Sequence, residues 1–298
     1  MLLRYWIIIW GLGLAWGSSF YFNAILLREI GPLSVSMGRV GVGALGCWLW
    51  VLVSGRSMRV QLPVLASLFV FGLFQYALPL AIYPFAQQAI TSSAAGIINA
   101  MTPIMVVIVS HFWPGGERAT AQKTVGVAVG FAGIVLLMLP SARGIGDWAL
   151  WALCLAMLAP LCYGIGLNYI RRFAGMDRAV MTAWSLILAT LFIAPLALWR
   201  EGVPVITQTE TWIALAVIGF VLTSMAFLVM FWLLPRVGGT TASTLTFIAP
   251  LSAVLLGVLL LNEHLTVYHL IGMLAIFAGL LLIDGRLWRR VRRRTPKA

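Results

Sequence analysis

Polar and aromatic side chains set inside long apolar runs are the residues of this 298-residue chain with recognition chemistry to do. Ser92, Ala95, Asn99 and Thr102 fall at i, i+3, i+7 and i+10, which makes one small polar stripe on a helix. Ala242, Thr246 and Ala249 repeat the last three of these 147 residues further on. An amide or hydroxyl is costly in lipid unless it faces a cavity or another helix. The two stripes therefore read as opposing walls of a binding cavity, or as interhelical hydrogen-bonding surfaces. Tyr76, Tyr83 and Gln87 form a second group at i, i+7 and i+11, with Pro79 and Pro84 between and beside them. Internal prolines free carbonyls and kink a helix, and such breaks are tolerated where they line a watery path. An interfacial belt position for Tyr83 and Gln87 is the plainer alternative. Trp16, Phe20, Tyr163, Asn168 and Trp184 add aromatic faces and an amide at mid-run, a lining suited to a cargo with an apolar or aromatic side chain. Arg39 is the one basic residue well inside a run and suits a carboxylate. It lies about 9 Å from the outer end of its run at the helical rise, so snorkelling or a clamp on backbone carbonyls competes with that role.

Other chemistries find no residues to carry them. All eight acids (Glu29, Glu117, Asp147, Asp177, Glu201, Glu210, Glu263 and Asp284) fall in loops or at run ends, so none is placed as a mid-membrane proton relay. That favours facilitated export or exchange of a neutral or zwitterionic cargo over carboxylate-based antiport. His111, His264 and His269 lie away from mid-run, so a hydrolase built on Ser18 or Ser19 has no base. There is no phosphate-binding loop for ATP-driven pumping. Thr124-Val125-Gly126-Val127 lacks the Tyr-Gly that would complete a potassium filter. Cys47, Cys154 and Cys162 form no CxxC pair, and His, Asp and Glu nowhere cluster at ligand spacing. Neither a metal nor a cofactor is expected.

The elements that must position the polar residues are ten apolar runs: Tyr5 to Leu27, Leu33 to Val53, Leu62 to Phe85, Ser92 to Phe112, Ala121 to Leu139, Trp148 to Ile170, Ala179 to Trp199, Thr211 to Leu234, Thr240 to Leu261 and Leu265 to Asp284. With 62% hydrophobic and 9% charged residues, the chain lacks the polar surface to coat a soluble globule. Each run is near the roughly 20 residues that span a bilayer, and the first reads as a retained helix rather than a cleaved leader. Pro103, Glu117, Gly126 and Gly133 are matched in the second half by Pro250, Glu263, Gly272 and Gly279, with nine residues from acid to first glycine and sixteen to the second in both copies. Five helices is an odd number, so the second copy enters from the opposite side. The expected fold is an all-α integral membrane protein of ten transmembrane helices in two inverted five-helix repeats. The divisions are 1–140, a connecting loop 141–147, 148–285, and a basic tail 286–298. The glycines are read as close-approach positions between helices, and Glu117 and Glu263 as caps of the helices that follow them.

Sixteen of the twenty basic residues fall on the side that holds both ends of the chain, so both termini are expected in the cytoplasm. The net charge of +12 is concentrated in the tail, where Arg286, Arg289, Arg290, Arg292, Arg293, Arg294 and Lys297 suit anionic lipid of the inner leaflet rather than nucleic acid.

The segment Leu261-Asn262-Glu263-His264-Leu265-Thr266, followed by Leu270-Ile271-Gly272 and Ala278-Gly279-Leu280-Leu281, resembles the EamA-type signature of the drug/metabolite transporter superfamily, and the stretch from Glu117 through Gly126 to Gly133 is its first-half counterpart. Arg39 and the small residues leading to Pro103 and Pro250 fit the same pattern, so the resemblance covers essentially the whole chain. Within that superfamily the chain is similar to bacterial aromatic amino-acid exporters of the YddG type. The resemblance implies a transporter of the bacterial cytoplasmic (inner) membrane that exports aromatic and other neutral amino acids by alternating access, and is not an enzyme. The substrate-binding set is then Trp16, Phe20, Arg39, Tyr76, Tyr83, Gln87, Asn99, Tyr163, Asn168, Trp184 and Thr246. A homodimer stays open, as do a broader metabolite or drug exporter of the same fold and a non-transport scaffold or lipid-handling protein.

Overall fold

A computed structural model describes residues 3–142, 146–238 and 244–284. Arg143, Ala242 and the basic tail lie outside the described residues, as do the side chains of the connecting loop. The described chain forms α1 (Leu3–Leu26), α2 (Pro32–Val53), α3 (Leu62–Ala86), α4 (Ser92–Phe112), α5 (Ala121–Ala142), α6 (Gly146–Tyr169), α7 (Arg178–Glu201), α8 (Thr209–Val237), α9 (Leu245–Leu261) and α10 (Val267–Asp284). Eight of these, α2 to α8 and α10, are long and apolar enough to cross a membrane, and α9 is a shorter apolar helix. Helices are the expected answer to such a composition, since each satisfies its own backbone without water.

Local chemistry sets the ends. Thr91 Oγ1 accepts from Ala94 N–H at 3.1 Å and opens α4, while Asp177 Oδ1 accepts from Ala179 and Val180 N–H at 2.8 and 3.1 Å and opens α7. Pro32 begins α2, where a missing N–H costs nothing. Asn262, at φ 55°, ends α9 in the left-handed region, and Glu263 N–H then donates back to Gly257 O at 3.0 Å.

Three helices are irregular where the polar residues sit. α3 widens into a π turn over Leu73–Ala77, which contains Gln75, the residue whose carbonyl Pro79 leaves without an N–H. α8 does the same over Val217–Met225. α4 breaks at Ala100 and Met101, because Pro103 has no N–H for Asn99 O; the Thr102 hydroxyl donates to that carbonyl instead, at 2.8 Å.

The helices pair α5 with α10, α1 with α9, α4 with α6, α2 with α7 and α8, and α3 with α7. Exchanging α1 to α5 for α6 to α10 maps this set onto itself. Glycines make the joints close. A Cβ on Gly126 would stand 2.7 Å from Gly279 O, and one on Gly133 2.7 Å from Gly272 O; the reverse additions give 2.5 and 2.8 Å. Gly17 meets Ala249 and Ser252 of α9 at 2.2 to 2.5 Å, and Gly164, 147 residues later, meets Met105 of α4 at 3.0 Å.

Candidate functional site

The α8 π segment holds the centre of the candidate site. A wider turn leaves carbonyls without their usual i+4 donors, and two hydroxyls serve them. Thr223 Oγ1 donates to Ile218 O at 2.8 Å, and Ser224 Oγ bonds Gly219 O at 3.2 Å and Gly43 O of α2 at 2.8 Å. The short Gly43 and Gly46 contacts bring α2 in close enough for Arg39 to reach α8. Arg39 Nε donates to Thr223 Oγ1 at 3.2 Å, and Nη2 to Ser19 Oγ of α1 at 3.1 Å. The side chain is only 6% exposed and ends on neutral hydroxyls. Both of its acceptors are side-chain hydroxyls and neither is a backbone carbonyl. No carboxylate pairs with it among the described residues.

Beside this guanidinium lies an aromatic wall. Trp16 Nε1 donates to Leu222 O at 3.2 Å, one residue before Thr223. Its ring stands 5.4 Å from that of Phe227, and Phe227 meets Tyr76 of α3 edge-on at 5.1 Å. Tyr163, the counterpart of Trp16 in the second half, packs against the core cluster that holds Phe20 and Tyr83. Tyr76 is buried, whereas Trp16, Tyr163 and Phe227 keep part of their surface open.

A second group joins α1, the end of α3, the start of α4 and the α9 to α10 turn. Tyr83 packs edge-on against Phe20 at 5.0 Å and donates its hydroxyl to Asn99 Oδ1 at 3.0 Å. Gln87 accepts from Asn23 Nδ2 and donates to Phe20 O and Ser92 Oγ, each at 2.9 Å. Glu263 completes the group from the α9 to α10 turn. Its carboxylate accepts from Ser92 N–H at 2.6 Å, Ser93 N–H at 2.9 Å and Ser93 Oγ at 2.5 Å. Glu263 is thus a cap, but of α4 and not of α10, because the left-handed Asn262 turns it across the helix pair. Glu117 is paired with Lys123 Nζ at 2.5 Å. Gly96 of α4 meets Ala253 of α9 within 2.2 Å of a virtual Cβ, and the contacts between these helices concentrate on Ser92–Asn99.

Eight of the eleven residues singled out in the sequence fall in these groups. Thr246 is half-exposed on α9, the helix that packs against α4. The other two stand apart. Asn168 spends its amide on Gly164 O at 2.9 Å and Val106 O at 3.3 Å, and Trp184 donates to Met58 O at 2.9 Å beside the α2 to α3 loop. Ser19, Asn23, Thr223 and Phe227 were not singled out as binding residues. The adjacent polar pair Thr223-Ser224 inside an apolar run was the available signal for the third; Phe227 carried none.

Loops contact one another in two separate sets. Arg56 pairs with Asp177, and Arg171 Nη1 donates to Gly115 O at 3.3 Å. In the other set Glu201 accepts from Leu33 and Ser34 N–H at 2.9 and 2.8 Å, and Arg28 lies 3.7 Å from Glu210. Glu29 belongs to this set. The Thr207 hydroxyl, then the Thr211 hydroxyl and the backbone N–H groups of Thr207 and Gln208, hold its carboxyl down to about 2.

These helices, with a polar and aromatic lining between them, define a multi-pass membrane protein. The pattern of the EamA-like transporter family matches residues 4–139 and again residues 150–284, and the chain belongs to that family. It is 25% identical over 272 residues to the Bacillus subtilis "uncharacterized transporter YoaV", across 90% of this chain and 92% of that one. It is also 25% identical over 277 residues to protein PecM of Dickeya dadantii, across 90% and 88%. The Escherichia coli "uncharacterized inner membrane transporter YedA" is 22% identical over 290 residues, across 93% and 90%. A crystal structure of a protein with 20% sequence identity superposes with a TM-score of 0.69 over 99% of this chain and 100% of that one, which shows a common fold. The protein is a membrane transporter.

Proposed function

We propose that the chain exports aromatic and other neutral amino acids from the bacterial cytoplasm by alternating access, through ten spans in two inverted repeats with both termini cytoplasmic. The observation that carries this reading is the aromatic wall of Trp16, Phe227 and Tyr76 beside the Arg39 guanidinium, with contributions from both halves of the chain. Aromatic faces favour a flat apolar side chain, and a lining with no carboxylate among the described residues is poorly matched to a cationic drug. The two loop sets support the topology: the set with Arg56 and Asp177 is the basic, cytoplasmic one, and the set with Glu29, Glu201 and Glu210 is external. The Glu263 group then closes the outer end, and a cargo enters from inside.

Liposomes carrying the purified transporter and loaded with one amino acid each provide the test. Phenylalanine, tyrosine and tryptophan are expected to exchange fastest, small neutral amino acids more slowly, lysine and glutamate not at all. Exchange should survive collapse of the proton gradient. Equal flux of cationic dyes would favour the broad drug exporter, and no flux of any solute would leave the amino-acid reading without support.

A further inference from the structure

Arg39 presents an unbalanced charge. A guanidinium carries five N–H donors, of which the described residues accept two, through Thr223 Oγ1 and Ser19 Oγ. Thr223 spends its own proton on Ile218 O, so it can receive from Arg39 but has no donor left. Ser19 receives from Nη2, and neither its hydroxyl proton nor the Arg39 Nη1 group has an acceptor among the described residues. The result is a set of donors with no acceptor among the described residues, on a residue only 6% exposed. Burying a charge without a counter-charge is expensive in protein and more so at membrane depth. Neutral hydroxyls orient the fork without neutralising it.

The surroundings say which anion would complete the set. Trp16 is one turn from Ser19 on α1 and bonds the carbonyl next to Thr223, so the aromatic wall begins where the guanidinium ends. A planar two-oxygen anion matches the fork of the guanidinium, with the Ser19 hydroxyl as a further donor. We propose that Arg39, oriented by Ser19 and Thr223, binds the carboxylate of the cargo, so that an acid group joined to an apolar or aromatic body is required for recognition. This rests on the transporter reading above and narrows its site; the amino group of the cargo is not part of the inference.

Three probes separate the two ideas: phenylalanine, 3-phenylpropionate, which lacks the amine, and phenethylamine, which lacks the acid. Binding to the purified full chain in nanodiscs is measured for the wild type, Arg39→Gln and Arg39→Lys, each checked for folding by its unfolding midpoint. Arg39→Gln is expected to weaken both acids about 30-fold or more, as the loss of charge-assisted bonds should, and to leave any phenethylamine binding unchanged. Where Arg39→Gln does not fold, Arg39→Lys carries the test, since it keeps the charge and loses the fork; the acids should weaken about tenfold and the amine should not. Folded Arg39→Gln that binds phenylalanine within threefold of the wild type overturns the inference. So does wild-type protein that binds phenethylamine as tightly as phenylalanine, or none of the three. Arg39-dependent binding of 3-phenylpropionate without binding of phenylalanine would keep the carboxylate anchor and remove the amino-acid reading.

Discussion

Glu263 and Ser93 lie 170 residues apart and are joined twice, the carboxylate Oε2 accepting from the Ser93 N–H at 2.9 Å and from its hydroxyl at 2.5 Å. An acid from the second half thereby satisfies the start of a helix in the first. Charge-assisted bonds to a helix start are among the stronger polar contacts. Glu263→Ala should lower stability by about 1–3 kcal/mol, read as a fall in the thermal midpoint in detergent. Glu263→Gln, which keeps an acceptor, should fall less. Two unchanged midpoints would show that the contact does not hold α4 to α9.

The α5 and α10 crossing makes a sharper demand. A Cβ at Gly279 would meet Gly126 O at 2.5 Å and Gly130 N at 2.8 Å, backbone atoms that cannot step aside. Gly279→Ala is expected to cost about 1–3 kcal/mol. Gly11→Ala meets nothing within 4 Å, and in a helix it should be neutral or stabilise by about 0.5–1 kcal/mol. Equal yields and midpoints for the two variants would mean that the crossing is looser than described.

Glu29 gives a pH dependence with a definite sign. Its carboxyl is held down to about 2 from an ordinary 4.5, so the folded state favours the charged form. The contribution is complete above the unfolded value and is lost as pH falls from about 4.5 through about 2. Thr207→Val removes the hydroxyl that is the largest single contributor to the holding. It should move the Glu29 titration upward, as followed by carboxyl NMR shifts, and narrow the acid range over which the α1 to α2 loop stays tied to the start of α8. A Glu29 titration that stays put in the variant would contradict this.

Asn99 and Thr246 test the cavity walls. A residue that touches cargo acts on the difference between cargoes, whereas a packing residue acts on folding. Asn99→Leu and Thr246→Leu should change the phenylalanine to alanine transport ratio per folded molecule by more than they change protein yield. Tyr83→Phe removes the hydroxyl that holds Asn99 and should shift the ratio in the same direction as Asn99→Leu, by less. Two unchanged ratios for the leucine variants would take both residues out of the site.

Topology is open to direct labelling. Cysteines placed beside Arg56, Arg118 and Arg236 are expected to react with an impermeant reagent only from the cytoplasm, and one beside Arg143 only from outside. Reaction of the Arg143 site from inside would break the inverted arrangement.

Much of the helix layout was legible because hydropathy is local. The run Ala179 to Trp199 became Arg178–Glu201, and Leu62 to Phe85 became Leu62–Ala86. Spacing placed Asn99 and Tyr83 on their helices, and the Tyr83 hydroxyl joins them in the structure. The π turn of α3 contains Gln75, whose carbonyl Pro79 leaves without its usual donor, but that of α8 has no such mark in the sequence and forms where α2 packs against it. The Arg39 partners and the target of Glu263 were hidden for the same reason. Periodicity gives the face of a helix and is silent about which other helix meets it.

The glycine crossing has a consequence for ancestry. Gly126 touches Gly279 and Gly133 touches Gly272, and the repeat equates Gly126 with Gly272 and Gly133 with Gly279. Exchanging the halves turns each contact into the other, which is the property of an isologous interface between two identical subunits. A single five-helix chain inserted in both orientations would make this contact with a second copy of itself, using two glycines where the present chain uses four. On the proposed inverted-repeat reading, joining two such copies end to end would need no new surface at this joint, only a loop, and divergence of the halves would be limited by these backbone contacts.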